Sequence, residues 1–149
     1  MKAADELRAT LTDEDRRHDD WRSIELVLRG RIDVARGTED DGLKMIADGA
    51  DLEDREAPSG PVERGVSARE RLGEALLAAG RAPDALREFR RALELHPRRA
   101  RALLGCARAA SASGDSAAHS YWAELGAIWS GADDDTPGLA EVRRALGGT

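Results

Sequence analysis

Residues 66–99 read VSARERLGEALLAAGRAPDALREFRRALELHPRR, and this stretch decides the fold. Leu72 and Leu76 stand one turn apart on a first helix, Gly80 breaks it, and Ala85, Phe89 and Ala92 share one face of a second helix, which Pro97 closes. The pattern then recurs. Gly114 follows Gly80 by 34 positions, and at the same offset Leu72 maps to Cys106, Gly73 to Ala107 and Leu76 to Ala110. A helix pair repeated at a fixed interval implies that each pair buries its apolar face against the next.

Residues 66–99 resemble one nearly complete repeat of the tetratricopeptide family. Leu72, Gly73 and Leu76 match the family's first-helix positions, Gly80 its turn, Ala85, Phe89 and Ala92 its second-helix positions, and Pro97 its closing proline. Gly73 and Ala85 would meet across the hairpin, where a larger side chain forces the helices apart. Arg69 departs from the pattern, since the family often places an aromatic or aliphatic residue there. Residues 100–131 resemble a second, degenerate repeat. After Asp115 the pattern fits only with one residue dropped, which puts Ala118, Trp122 and Leu125 at second-helix positions, and no closing proline follows. The span from Val66 to Leu146 also looks similar to the carboxy-terminal repeats of bacterial tetratricopeptide proteins with no assigned activity. The resemblance implies an all-α fold, a right-handed superhelix of about three antiparallel hairpins with a C-terminal capping helix.

The flanks follow by pattern. Gly37 precedes Gly80 by 43 residues, one period plus nine, and the extra residues fall in 55–63, a proline- and glycine-bearing loop within 55–65. Residues 12–54 read as a diverged helix pair: Trp21, Ile24, Leu28, Ile32 and Ala35 form an inward stripe on one helix, and Leu43, Ile46 and Ala50 on the next. Thr12 with Asp15 resembles a capping box. Asp135, Thr136 and Pro137 resemble a cap opening the closing helix at 136–147, whose Leu139, Val142 and Leu146 would lie over Trp122, Leu125 and Trp129.

Composition sets the outer bounds. The chain has 149 residues, a size suited to one domain, and its 41% hydrophobic content is mostly Ala and Leu, with 3% aromatic. The formal net charge of −6 argues against wholesale nucleic-acid binding. Lys2 and Lys44 are the only lysines, a bias that fits either a GC-rich genome or salt adaptation. The single cysteine excludes an intramolecular disulfide and a multi-cysteine metal site, and fits a reducing compartment. With no apolar run near the roughly 20 residues of a membrane span and no signal-peptide pattern, the chain reads as cytoplasmic.

No catalytic constellation emerges. The nucleophile elbow G-x-S-x-G, the phosphate-binding G-x-x-x-x-G-K-[ST], G-x-G-x-x-G and H-E-x-x-H are all absent. His18, His96 and His119 fall on separate elements, and His96 beside Pro97 suits a helix C-terminus. Asp133, Asp134 and Asp135 lack the spacing and glycine of a calcium loop and read as a solvated stretch before a helix. Cys106 falls at a position that wants a small buried residue, which makes it an inert thiol. The expectation is a chain without catalytic residues, cofactor or metal.

Binding is the remaining class. The resemblance puts Glu70 and Glu74 on a concave surface, with Arg101, Leu104 and Arg108 in the corresponding region of the next repeat. These residues read either as a mixed-charge groove for a peptide or helix, or as surface ion pairs of about 0–1 kcal/mol each. From Arg81 to Arg108 the local charge balance is +5, suited to an acidic partner or to complementing helix dipoles. Tyr121 and Ile128 lie on the side of their helix away from the closing helix, where an exposed apolar patch would serve a partner or self-association. The expected function is a non-catalytic scaffold with a protein or peptide partner. The alternative is a regulatory or substrate-docking domain of a larger bacterial enzyme or assembly protein.

Overall fold

A computed structural model of the chain describes residues 19–56 and 66–147. Among the described residues there are seven α-helices and no strands, so the fold is all-α. They fall into two compact units, residues 1–75 and 76–149, each with its own interior. The capping box expected at Thr12 and Asp15, His18 and most of the 55–65 loop lie outside the described residues.

The first unit is built on α1 (Asp19–Ala35) and α2 (Glu39–Glu56). Between them Gly37 takes φ of +91°, a left-handed conformation costly for residues with a Cβ, and Thr38 bonds the Asp33 carbonyl with both its amide and its hydroxyl, each at 3.0 Å. Glu39, Asp40 and Asp41 in the first turn of α2 complement its dipole. The two helices run antiparallel and touch almost backbone to backbone. A Cβ on Gly30 would lie 2.4 Å from the Gly42 carbonyl oxygen, and one on Gly49 would lie 3.0 Å from the Ser23 carbonyl oxygen. The Ser23 hydroxyl donates to the Gly49 carbonyl at 2.8 Å, which satisfies it inside the seam.

This seam corrects the inward stripe expected on α1. The buried face is Ser23, Val27 and Gly30, whereas Trp21 and Leu28 are 39% and 37% exposed. Large side chains cannot occupy a contact that leaves no room for a methyl group, so they rotate to the flank of the helix. On α2 the expectation holds, with Leu43, Ile46 and Ala50 buried. α3 (Ala68–Ala78) begins in this unit and ends in the next.

The second unit carries α4 (Ala82–Leu95), α5 (Ala100–Ser113), α6 (Ala118–Ile128) and α7 (Leu139–Ala145), with α5 packed on α4, α6 on α5 and α7 on α6. Gly80 and Gly114 take φ of +74° and +72°, so the interval noticed in the sequence is the spacing of two left-handed turns. Pro83, in the first turn of α4, suits a position whose N–H has no helical partner. Gly105 of α5 lies under the Phe89 ring, 2.3 Å from Cε1 to where a Cβ would stand. α5 is buried on several sides at once, through Ala102, Leu103, Cys106, Ala107, Ala109 and Ala110, which accounts for its alanine content. Leu103, Ala107, Trp122, Leu125 and Val142 form one core cluster of this unit.

α7 begins at Leu139 rather than 136, and its cap is Gly138 at φ +92° with no side-chain capping bond. Asp133 and Thr136 close a turn instead, Thr136 N–H to Asp133 carbonyl at 2.9 Å. The reason is a close approach: a Cβ on Gly138 would lie 3.0 Å from Leu104 Cδ2. No helix among the described residues is long and apolar enough to cross a membrane.

Candidate interaction surface

Glu70 is fully buried, at 0% exposure, which removes it from any exposed groove. Its Oε2 accepts the Ser67 N–H at 2.9 Å while the Ser67 hydroxyl accepts the Glu70 N–H at 3.2 Å. The pair is a capping box that satisfies donors otherwise orphaned at the start of α3. Glu53 of α2 takes the next donor, the Ala68 N–H, at 2.8 Å. Glu74 is half-buried and pairs with Arg71 at 3.4 Å.

Arg69, the departure from the repeat pattern, now has a cause. Its guanidinium reaches across to α2, where Nε and Nη2 donate to Asp54 Oδ2 at 3.0 and 2.9 Å, and Nη2 also meets Asp51. The side chains of Arg69 and Asp54 are only 13% and 12% exposed, so the pair is screened less than the surface pairs elsewhere. An aromatic at this position would remove the guanidinium that ties Asp54 of α2 to α3.

In the second unit Arg101 is exposed, while Leu104 packs against the core and under Gly138. Arg108 is chelated by Glu141 of α7, Nε and Nη2 donating at 2.8 and 2.6 Å. The hydrogen bond from Arg108 holds the Glu141 carboxyl below its ordinary range. Tyr121 and Ile128 are half-buried and pack against the core cluster rather than forming an open patch. The Tyr121 hydroxyl accepts from Arg90 Nε at 2.9 Å, and Arg90 Nη2 bonds Asp115 at 3.0 Å. Asp115 is pulled down by the Ala117 N–H it accepts and then by Arg90. Of the surface expected from sequence, most members are thus engaged within the fold.

Cys106 is buried, and burial pushes its thiol up to about 12, although Arg90 and the Tyr121 hydroxyl pull the other way. Asp133, Asp134 and Asp135 are exposed, with Asp134 paired to Arg143 at 2.7 Å. No cluster of three or more metal-ligating side chains occurs among the described residues.

An open apolar surface lies in the first unit. A cavity of about 160 Å³ is walled by Ile24, Val27 and Leu28 of α1 and by Val66 and Ala68 at the head of α3. Trp21 lies one turn beyond Ile24 on the same helix. The sequence did carry a signal for this arrangement: Gly30, Gly42 and Gly49 inside helices mark the buried seam, and the large apolar residues of α1 then have to face elsewhere.

No protein-family model, curated protein or solved structure matches the chain.

Proposed function

We propose that this chain is a non-catalytic interaction module, a helical-repeat domain of tetratricopeptide type that binds a segment of a protein partner. The open apolar cavity beside Leu28 carries this reading, because a large, partly exposed apolar side chain at the mouth of a concave site is the feature that interfaces use and folding alone does not require. The family assignment draws support from the left-handed glycines at 37, 80 and 114, each at the turn after a helix. Burial of the lone thiol also favours binding over nucleophilic chemistry. Of the second-unit residues expected to line an inner face, Arg101 and Arg108 are exposed, the latter held by Glu141, while Leu104 packs against the core.

Affinity capture with the wild-type chain beside Leu28→Glu tests the proposal, after circular dichroism has established equal helicity. Loss of captured proteins in the variant is the expected result. Identical partner sets would overturn the assignment of this surface, and an Arg101→Glu variant then asks whether the inner face binds instead.

A further inference from the structure

We infer that the cavity on α1 takes a single ring-sized apolar side chain from a partner segment that carries carboxylates beside it. The inference rests on the binding-module reading above and specifies the chemistry of the ligand.

Size is the first argument. At about 160 Å³ the space is close to the roughly 150 Å³ that accepts a benzene ring, and well under the roughly 300–1,000 Å³ of sites for whole metabolites or drug-like molecules. One phenylalanine or leucine side chain fits it. A nucleotide or cofactor does not.

Charge is the second. The polar edge of the cavity is formed by Arg31 and Arg71, with Glu53 and Ser23 as the other polar members. Ser23 is spent on the Gly49 carbonyl, and Glu53 already accepts the Ala68 N–H. Arg71 makes only a long pair with Glu74, at 3.4 Å. Arg31 is exposed and, among the described residues, makes no ion pair or hydrogen bond. A cation with its donors uncommitted at the rim of an apolar hole complements an anion held next to an apolar anchor. A basic segment would meet two guanidinium groups there.

Phenylacetate, phenethylammonium and the full-length chain provide the test, with methyl resonances of Ile24, Val27, Leu28 and Val66 as the readout. Phenylacetate is expected to shift these methyls saturably, and to bind about fivefold more tightly than phenethylammonium. Arg31→Glu should reverse that order, and Arg31→Gln, which keeps the reach without the charge, should bring the two probes level. The absence of saturable shifts with either probe would overturn the inference, as would equal affinities of the two for the wild type. Failure here is separable from failure of the binding-module reading, since partner capture that depends on Leu28 would persist in a chain that takes up no ring.

Discussion

Gly30 of α1 and Gly42 of α2 each point their missing side chain at the other's carbonyl oxygen, with 2.4 and 2.5 Å between a built Cβ and that oxygen. Gly30→Ala or Gly42→Ala therefore pits a gain in helix propensity of about 1 kcal/mol against overpacking of about 1–3 kcal/mol, and against backbone the overpacking wins. Urea denaturation should show a lower midpoint for each variant. A midpoint above wild type would refute the seam.

The contact between Gly105 and Phe89 offers a coupled test in the other unit. Gly105→Ala alone should destabilise by about 1–3 kcal/mol, because Phe89 is 1% exposed and its ring cannot retreat into solvent. Adding Phe89→Leu should restore part of the loss, giving a favourable interaction energy of about 0.5 kcal/mol or more in a double-mutant cycle. Strict additivity would mean the two residues do not meet.

Charge reversal at Glu70 would not be a clean test of binding, since the carboxylate caps its own helix from inside. Glu70→Ala should cost about 1–3 kcal/mol, through donors left buried and unpaired. Ser67→Ala should cost about 0.5–2 kcal/mol. Thermal melts that match wild type in both variants would return Glu70 to the surface.

Acid should loosen the second unit. Glu141 and Asp115 both have carboxyls held below their ordinary values of 4.5 and 3.8, by Arg108 in one case and chiefly by the Ala117 N–H in the other. Each lowered group contributes stability that is complete above its ordinary value and lost as pH falls through the lowered one. The melting temperature should thus decline as pH drops below about 4.5, and Arg108→Ala should flatten part of that decline. A slope unchanged by Arg108→Ala would show that the chelate is not formed in solution.

Cys106 should be silent in the native chain. With its thiol pushed up to about 12 and its side chain buried, labelling by a disulfide reagent at neutral pH should follow the rate of opening rather than the rate of the free thiol. Fast stoichiometric labelling under native conditions would contradict the burial.

What could be read beforehand depended on whether a residue acts locally or through a distant partner. Gly80 and Gly114 announce themselves because a left-handed turn is a property of one residue, and their spacing survives any change in packing. The inward positions on α2, Leu43, Ile46 and Ala50, were legible for a similar reason, their period matching the helix. On α1 the period of the large apolar side chains points to the wrong face, because closeness of approach and not size decides burial there. Ser67 and Glu70 form a recognisable capping box in sequence, whereas the family likeness points Glu70 toward a groove. The pairings of Arg69 with Asp54 and Arg108 with Glu141 span 15 and 33 residues, and nothing in the local sequence singles out one partner over another. The cavity was hidden for the same cause, being made by three segments whose meeting only the fold decides.

Two helices that touch through their main chains, as α1 and α2 do at Gly30 and Gly42, have no interlocking layer that could rearrange as the sequence drifts. The tolerance of such a hairpin to change is directional. At Gly30, Gly42 and Gly49 the seam admits nothing larger than a hydrogen, whereas the opposite side can be rewritten freely. Residues on the outer flank of α1 can therefore be replaced without any adjustment of the packing beneath them.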